Sequence, residues 1–348
     1  MLKIMNIIPE EIKNLEPYKS AREDFNKKGL LFLDANENPC GERYNRYPDP
    51  LQHKLKNQLS KTTGTPAEKL FLGNGSDEII DLVIRTFCRP GIDNLITIEP
   101  SYGMYEVLAS INRVETKKVP LNKNFQLVPD ELLSEVDDKT KLIILCSPNN
   151  PSGNLLKFSD IEKILQSFTG IILLDEAYIE FSGSEGFKEK ITEYPNLILM
   201  RTLSKAWGMA GIRLGYAMCN PEIVQILSKV KYPYNINSMT QKKAMQVLKK
   251  PQRKQKTVKH INKEKQKVVK ILRNLNCIEK IYPSDANFIL VKTKKYRDII
   301  HFLKERGIII RDRSNLKHCE DCVRITIGTK SQNNKLLKQM KQFEKLKT

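Results

Sequence analysis

The most informative segment of this chain is Arg201-Thr-Leu-Ser-Lys-Ala-Trp-Gly-Met-Ala-Gly-Ile-Arg213, which follows an apolar run of strand character. A lysine amine is ordinarily a solvated cation, but surroundings that favour its neutral form turn it into a nucleophile for carbonyl carbons. Lys205 lies here among the hydroxyls of Thr202 and Ser204 and the guanidinium of Arg213, a mixture that suits an aldehyde carrying a phosphate. In a chain with 59 Lys and Arg residues a single lysine is weak evidence, so the surrounding pattern decides.

Short apolar runs alternate with amphipathic helical patterns from about residue 70 onward. This alternation is typical of an α/β fold, in which helices flank a mostly parallel sheet. The predicted strands are residues 95–98, 142–146, 171–174, 197–200 and 214–218.

Three helix starts are visible in the same region. Asp49 followed by Pro50 predicts an N-cap and a first helical turn. Ser159 and Glu162 have the spacing of a capping box. A further helix is predicted to begin at Ser76, because acidic residues fall in its first turn.

The pattern changes after about residue 240. Lysines concentrate in residues 242–270, where apolar residues at helical spacing predict one long helix with a solvated basic face. Predicted strands at 287–291, 307–310 and 323–327, with helices between and after them, indicate a smaller α+β unit. We therefore predict an N-terminal arm with part of the small domain (1–42), a large domain (43–240) and a small domain (241–348).

Composition limits the class of protein. With 348 residues and 40% hydrophobic residues the chain can bury a large core, but no apolar run could cross a bilayer. The net charge of +19 would suit nucleic acid, a membrane surface or anionic small substrates. We assign most of it to the basic helix and expect no nucleic-acid or membrane partner, although that helix could still have a partner of its own.

The cysteines and the N-terminus indicate the compartment. The seven cysteines are scattered and no secretory signal is visible, which predicts reduced thiols and a cytoplasmic location. Cys319 and Cys322 form the one close pair, but they lack a second ligand pair at a recognisable spacing. No metal site is predicted.

Polar turns follow four of the predicted strands. Asp175 ends one strand, and residues 101–102, 147–153 and 202–205 follow three others. Because ligands of open α/β sheets bind at the carboxyl ends of the strands, we expect these turns to form one pocket. The turn Gly73-Asn-Gly-Ser-Asp77 precedes a helix and offers backbone N–H groups to a phosphate, although a plain helix cap would look similar.

Together these segments resemble the fold-type I pyridoxal-5′-phosphate enzymes, and within them the class II aminotransferases of the histidinol-phosphate family. The resemblance runs from Tyr18 to Gly328 and implies a large domain with a seven-stranded, mostly parallel sheet. Ser152 stands where the family usually has threonine, which keeps a small hydroxyl. The motifs that carry the resemblance are Leu33-Asp-Ala-Asn-Glu-Asn-Pro39, Arg46-Tyr-Pro-Asp-Pro50, Pro148-Asn-Asn-Pro-Ser-Gly153, Asp175-Glu-Ala-Tyr178, the Lys205 segment and Val323-Arg-Ile-Thr-Ile-Gly328.

The resemblance implies a role for each residue of the expected pocket. Lys205 would hold pyridoxal 5′-phosphate covalently and later move the substrate proton, while Asp175 would pair with the protonated ring nitrogen. Asn150 and Tyr178 would hydrogen-bond the phenolic oxygen of the ring, and Tyr102 would stack on its face. The remaining cofactor contacts, most of them to the phosphate, would come from Gly75, Ser76, Asp77, Thr202, Ser204 and Arg213.

The resemblance also implies substrate contacts and a second subunit. Arg311 and Arg324 would bind the anionic ends of the substrates, because guanidinium groups offer paired donors to phosphate or carboxylate. Tyr18 would help to close the site, and Asn36 would lie near its entrance. Tyr47 matches the family tyrosine that reaches the cofactor phosphate of the neighbouring subunit, which implies a homodimer.

The implied reaction transfers the amino group of L-histidinol phosphate to 2-oxoglutarate and gives imidazole acetol phosphate and glutamate. Two alternatives share the fold: a threonine-phosphate decarboxylase and an aromatic amino-acid aminotransferase. A third alternative, from another class, is a non-catalytic basic protein that binds nucleic acid. Such a protein would be retained on DNA with a steep salt dependence.

Overall fold

The computed structural model describes residues 4–17, Arg22 and residues 31–347. The strands of this described part are β1 Leu70–Gly73, β2 Asn94–Glu99, β3 Glu115–Pro120, β4 Thr140–Cys146, β5 Ile171–Asp175, β6 Leu197–Thr202, β7 Gly215–Met218, β8 Lys280–Ile281, β9 Phe288–Lys292, β10 Arg311–Asp312 and β11 Cys322–Thr326. Its α-helices are α1 Glu10–Lys13, α2 His53–Thr63, α3 Ser76–Phe87, α4 Met104–Ile111, α5 Pro129–Ser134, α6 Phe158–Ser167, α7 Pro221–Val230, α8 Ser238–Leu248, α9 Pro251–Leu272, α10 Tyr296–Glu305 and α11 Lys330–Lys347.

The larger sheet has seven strands in the order β1-β7-β6-β5-β4-β2-β3. The pairs among β2 to β6 are parallel, whereas β7 runs antiparallel to both of its neighbours. The predicted α/β fold with a mostly parallel seven-stranded sheet is therefore confirmed. Strands β1 and β3 were not predicted, and the short polar pattern of β3, Glu-Thr-Lys-Lys-Val-Pro, lacks an apolar run.

The central strands are buried on both faces, as helices on both sides of a parallel sheet require. In β5, Ile172 and Leu174 join the hydrophobic core on one face, whereas Ile171 and Leu173 join the core on the other. Asp175 continues this alternation, so its side chain falls on the same face as Leu173. The N-terminal residues Ile4 and Ile8 are buried in that second core.

The second sheet is antiparallel, with the order β10-β11-β9-β8. Its core, which includes Val268 and Leu272 of α9, is separate from the two cores of the larger sheet. Helix α9 links the two sheets: Asn262 Nδ2 donates to Phe181 O at 2.8 Å, and Lys265 Nζ donates to Ser284 O at 2.7 Å. The domain boundaries given above stay a prediction. No helix of the described residues has the length and apolarity that a bilayer crossing needs.

Four local predictions were wrong. The helix expected from Asp49 begins only at His53, because Gln52 adopts a left-handed conformation, although the Asp49 carboxylate still accepts from His53 N at 2.7 Å. Helix α6 begins one residue before Ser159, which excludes the capping box.

The strand expected at 307–310 is displaced to Arg311–Asp312. The long basic helix is broken into α8 and α9, because Pro251 occupies the first position of the second helix.

A buried ion pair fixes the chain immediately after β5. Glu176 Oε2 accepts from Arg201 Nε at 2.9 Å and from Nη2 at 2.7 Å, and Glu176 Oε1 accepts from Phe187 N at 2.8 Å. The side chain of Glu176 is 1% exposed and that of Arg201 is 10% exposed. A buried charge that loses its partner is left uncompensated, so this pair holds the ends of β5 and β6 and the loop at Phe187 together.

Replacing Glu176 with alanine is therefore expected to lower the free energy of unfolding by about 3–5 kcal/mol, because Arg201 would be buried without a counter-charge. Chemical denaturation measures this change. The control is Glu189→Ala, which removes a carboxylate that is 85% exposed and paired with Lys188 at 3.2 Å. The control should cost no more than about 1 kcal/mol, and equal losses in the two variants would contradict this assignment.

Candidate active site

The carboxyl edge of the larger sheet holds the predicted pocket. Strand β7 enters this edge at Gly215, which lies opposite Gly73 of β1 and Thr202 of β6. A Cβ on Gly215 would lie 2.5 Å from Ser76 N, so only glycine lets the first turn of α3 approach the sheet this closely. This contact brings the N-terminus of α3 beside the ends of β5 and β6.

A cleft of about 140 Å³ opens at this edge. It brings together the predicted cofactor residues other than Gly75 and Tyr47, and Cys146, Ala177 and Ala210 also line it. The predicted residues that line the cleft are Ser76, Asp77, Tyr102, Asn150, Asp175, Tyr178, Thr202, Ser204, Lys205 and Arg213. The residues come from five separate parts of the chain, as expected for turns that leave one edge of a sheet.

Asp175 forms the floor of the cleft and is 4% exposed. Its Oδ2 accepts from the Tyr105 hydroxyl at 2.7 Å, and its Oδ1 accepts from Ala177 N at 2.9 Å. Burial raises the pKa of this carboxyl to about 6, although the two hydrogen bonds and the charge of Lys205 oppose the shift. Near neutral pH the floor of the cleft is thus an oriented carboxylate that can pair with a cation.

Lys205 faces this carboxylate across the cleft. Its Nζ lies 5.6 Å from the centre of the Tyr178 ring. Burial lowers the pKa of Lys205, and the nearby charges of Arg324 and Arg213 lower it further, while Asp175 and Asp77 oppose them. A desolvated amine among cations is the arrangement that favours the neutral, nucleophilic form.

Hydroxyl and guanidinium groups form one end of the cleft. Thr202 Oγ1 lies 3.1 Å from Ser204 Oγ and also accepts from Ser204 N at 3.1 Å. Arg213 Nη2 donates to Asp77 Oδ2 at 3.2 Å, and the Tyr102 hydroxyl donates to Asp77 Oδ1 at 3.3 Å. This set of donors beside the N-terminus of α3 suits a phosphate group.

Gly75 belongs to the same end of the cleft although it does not line it. It has a φ of +83°, and a Cβ there would lie 2.5 Å from Arg213 Nη2. The absence of a side chain thus leaves room for the guanidinium directly above the helix N-terminus.

Arg324 joins the second sheet to the cleft. Its Nη1 donates to Asn150 Oδ1, which leaves the amide NH₂ of Asn150 free to donate to a ligand oxygen. The Nε of Arg324 is buried and has no hydrogen-bond partner among the described residues. A buried donor without a partner indicates a site that an anionic or carbonyl ligand completes.

Two further arginines surround Arg324. Arg311 lies opposite Arg324 in the register of β10 and β11 and is exposed. Burial lowers the pKa of Arg313 to about 10, and the charges of Arg324 and Arg311 contribute to this shift. Three mutually repelling cations therefore lie close together, one of them bound to Asn150 of the cleft, and an anionic ligand would stabilise them.

Two of the predicted residues, Asn36 and Tyr47, do not line this cleft. Asn36 and Tyr47 line a separate cavity of about 610 Å³. Tyr47 is 48% exposed and stacks on Tyr234 with 4.5 Å between the ring centres. Tyr18 lies outside the described residues.

Tyr105 and Arg313 belong to the site but were not predicted from the sequence. Tyr105 lies three residues after Tyr102, a spacing that places both on one side of a helical turn, and this signal was present in the sequence. Arg313 lies two residues after Arg311, and strand alternation places both on one face of β10 and its continuation.

The lowered pKa of Lys205 predicts how the cofactor-free protein reacts with an amine-selective reagent. At pH 8 the Lys205 amine should be modified faster than an exposed lysine such as Lys123, because a larger fraction of it is unprotonated. Arg324→Gln removes a neighbouring positive charge, so it should raise the pKa of Lys205 and slow its modification. Peptide mapping by mass spectrometry measures both rates, and an unchanged Lys205 rate in Arg324→Gln would contradict this account.

Comparisons with known proteins agree with this arrangement. The sequence profile of "Aminotransferase class I and II" matches residues 14–340. The chain is 49% identical to a histidinol-phosphate aminotransferase of Parabacteroides distasonis over 344 residues, which covers 99% of this chain and 100% of that protein.

Solved structures agree as well. The histidinol-phosphate aminotransferase of Clostridium acetobutylicum superposes with a TM-score of 0.81 and 27% identity, over 91% of this chain and all of that one. The Sinorhizobium meliloti structure of a histidinol-phosphate aminotransferase in complex with pyridoxal-5′-phosphate has the same fold, with a TM-score of 0.79 and 23% identity over 88% of this chain and 84% of that one. The chain belongs to the class I and II aminotransferase family.

Proposed function

We propose that this protein is a pyridoxal-phosphate-dependent transaminase that transfers the amino group of L-histidinol phosphate to 2-oxoglutarate. The products are imidazole acetol phosphate and glutamate. The observation that carries the proposal is one cleft lined by both the desolvated Lys205 amine and the buried Asp175 carboxylate, with Arg324 bound to Asn150 of the same cleft. The full-length identity of 49% to a histidinol-phosphate aminotransferase supports the choice of substrate.

The residues of the cleft fit pyridoxal 5′-phosphate. When bound, this cofactor supplies an aldehyde for amine exchange and a protonated ring that accepts electrons from the substrate carbon. Asp175 would pair with the ring nitrogen, and the free amide NH₂ of Asn150 would donate to the phenolic oxygen together with the Tyr178 hydroxyl. The phosphate would lie at the end of the cleft that holds Ser76, Ser204 and Arg213.

Lys205 performs the proton transfer in this proposal. Its lowered pKa would let the amine act as a general base that takes the proton from the substrate carbon and then as the acid that gives it back. Arg324 and Arg213 would favour the neutral amine before the proton is taken and would favour its release afterwards, because a second positive charge nearby is unfavourable.

The arginines at the rim would bind the substrates. Histidinol phosphate carries a phosphate and 2-oxoglutarate carries two carboxylates, and guanidinium groups bind both kinds of anion through paired donors. Arg324 and Arg311 would take these contacts, and we add Arg313 because its charge acts on the same two residues. A cluster of cations suits two substrates of different shape better than one rigid pair would.

A homodimer is part of the proposal. Tyr47 is half exposed and stands outside its own cleft, which suits a role in a neighbouring subunit. Met239 lines the same cavity as Tyr47 and is 61% exposed. Further exposed apolar side chains of the described residues are Leu31, Leu33 and Tyr232, with exposed fractions between 70% and 81%. Light scattering on the purified protein tests the assembly directly.

A cytoplasmic location is also proposed. All seven cysteines are free, and six of them are buried. Persisting free thiols suit a reducing compartment.

The reaction can be tested by absorption spectroscopy. Adding L-histidinol phosphate to the purified protein should remove the visible absorption of the lysine-bound cofactor and produce the near-ultraviolet absorption of its amine form; 2-oxoglutarate should reverse the change. Lys205→Ala should abolish turnover, whereas Lys123→Ala, at an exposed position, should not change it. Carbon dioxide release from phosphothreonine, or equal turnover of phenylalanine, would instead support one of the alternative enzymes.

The pKa of Asp175 predicts how cofactor affinity depends on pH. The carboxyl is ionised above about pH 6, so cofactor affinity should fall as the pH drops through this value. Tyr105→Phe removes a hydrogen bond to the carboxylate, so it should move this fall to higher pH. A hydrogen bond to a charged group contributes about 1.5–3 kcal/mol, so binding at neutral pH should weaken roughly tenfold or more.

The control is Tyr194→Phe, another buried tyrosine, whose hydroxyl lies 3.4 Å from Gln166 Nε2. Tyr194 precedes the first residue of β6, whereas the cleft lies at the last residue of that strand, Thr202. Equilibrium titration of the cofactor-free protein from pH 5 to pH 8 compares the variants. Identical pH profiles for Tyr105→Phe and the unmodified protein would contradict the role of this hydrogen bond.

A further inference from the structure

A cavity of about 540 Å³ lies beside the Lys205 loop and is separate from the cleft described above. Residues 206–209, which directly follow Lys205, form one wall, and the break between α8 and α9 forms the other. We call it the elbow cavity. Its volume falls within the range of about 300–1,000 Å³ that is usual for small-molecule sites.

The elbow cavity is strongly basic. Five basic side chains line it, and no carboxylate is among the lining residues; the basic residues are Lys243, Lys249, Lys250, Arg253 and Lys254. None of the five forms an ion pair within the described part of the chain. The first turn of α9 contains no acidic residue either.

The inner end of the cavity is more enclosed. Lys254 is half-buried, and its Nζ lies 5.1 Å from the centre of the Trp207 ring, which is 8% exposed. Burial raises the pKa of Glu180, and the charge of Lys254 acts in the opposite direction. The ammonium of Lys254 therefore has two favourable neighbours, the face of the Trp207 ring and the more distant carboxyl of Glu180. The four exposed basic residues of the cavity have no comparable neighbour among the residues that the structure describes.

We propose that the elbow cavity binds a compact organic or inorganic anion with two or three linked phosphates. Five cations around one opening would bind such an anion more tightly than they would bind a single phosphate. Each additional negative charge of the ligand is attracted by the same five cations. This site gives a role to part of the lysine-rich segment, which the sequence assigned to a solvated helix face. It does not depend on the substrate proposed above.

The wall formed by residues 206–209 connects the site to the catalytic lysine. Trp207 lies two residues after Lys205, and Gly208 follows it with a φ of +66°. An anion in the cavity would change the distance between the Lys254 ammonium and the Trp207 ring. The electrostatic surroundings of the indole ring would change with it.

Trp207 is the one tryptophan of the chain, so its fluorescence reports on the elbow cavity directly. The purified cofactor-loaded protein is titrated with inorganic triphosphate, pyrophosphate and orthophosphate at one fixed ionic strength. We expect saturable changes with triphosphate and pyrophosphate, and affinity at least about tenfold weaker for orthophosphate. Adenosine triphosphate is titrated in the same way. If its affinity equals that of inorganic triphosphate, the cavity recognises only the phosphates. If it binds more tightly, the ligand is a nucleotide.

A pair of double variants tests the location. Lys250→Ser with Arg253→Ser removes two exposed cations of the cavity and should weaken triphosphate binding by about tenfold. Lys256→Ser with Lys259→Ser removes the same charge from exposed positions of α9 outside the cavity and should change it less than about twofold. Thermal unfolding confirms that both variants fold.

Three results would overturn the proposal. The first is equal weakening in both double variants, which would indicate only general attraction to a basic helix. The second is orthophosphate binding as tight as that of triphosphate. The third is a short single-stranded oligonucleotide that binds tighter than triphosphate and more weakly at higher salt, which would assign this surface to nucleic acid.

Discussion

The hydrogen-bonded carboxylate of Asp175 is the constraint on which the active site depends. A carboxylate with 4% exposure is unfavourable in a protein interior unless donors or cations compensate it. The Tyr105 hydroxyl and Ala177 N supply two hydrogen bonds, and their positions fix the carboxylate at the carboxyl end of β5. The neighbouring pair of Glu176 and Arg201 holds the next residue of the same turn, so the carboxylate is held from both sides of the strand.

Charge is distributed unevenly around this carboxylate. Arg213 is paired with Asp77, whereas Arg324 meets a neutral amide, and its buried Nε has no partner among the described residues. In the proposed function the paired arginine would hold the cofactor phosphate, and the less satisfied one would bind and release the substrates. Burial lowers the pKa of Lys205, and the charges of Arg324 and Arg213 lower it further, so the surroundings of this amine favour its neutral form more than water does.

Much of the larger sheet and most of the cleft could be predicted from the sequence, for a physical reason. Buried parallel strands are continuous apolar runs in the sequence, and the polar residues that follow them lie at one edge of the sheet. The positions of Asp175 and of the Lys205 turn at this edge could therefore be predicted from the alternation of apolar and polar segments. The short strand β10 and the helix starts depend on backbone conformations such as the left-handed Gln52, which sequence patterns do not indicate. Tyr105 was not predicted because its role depends on a contact between α4 and β5: its spacing from Tyr102 indicates a shared side of a helical turn, but not the carboxylate that its hydroxyl meets.

The central claim is that the amine of Lys205 forms the covalent link to pyridoxal phosphate above Asp175. Borohydride reduction of the purified protein, followed by protease digestion and mass spectrometry, tests this claim most directly. The account predicts one reduced cofactor adduct, on the peptide that contains Lys205, and no such adduct in Lys205→Ala. An adduct at another lysine, or none at all in protein that retains transaminase activity, would contradict it.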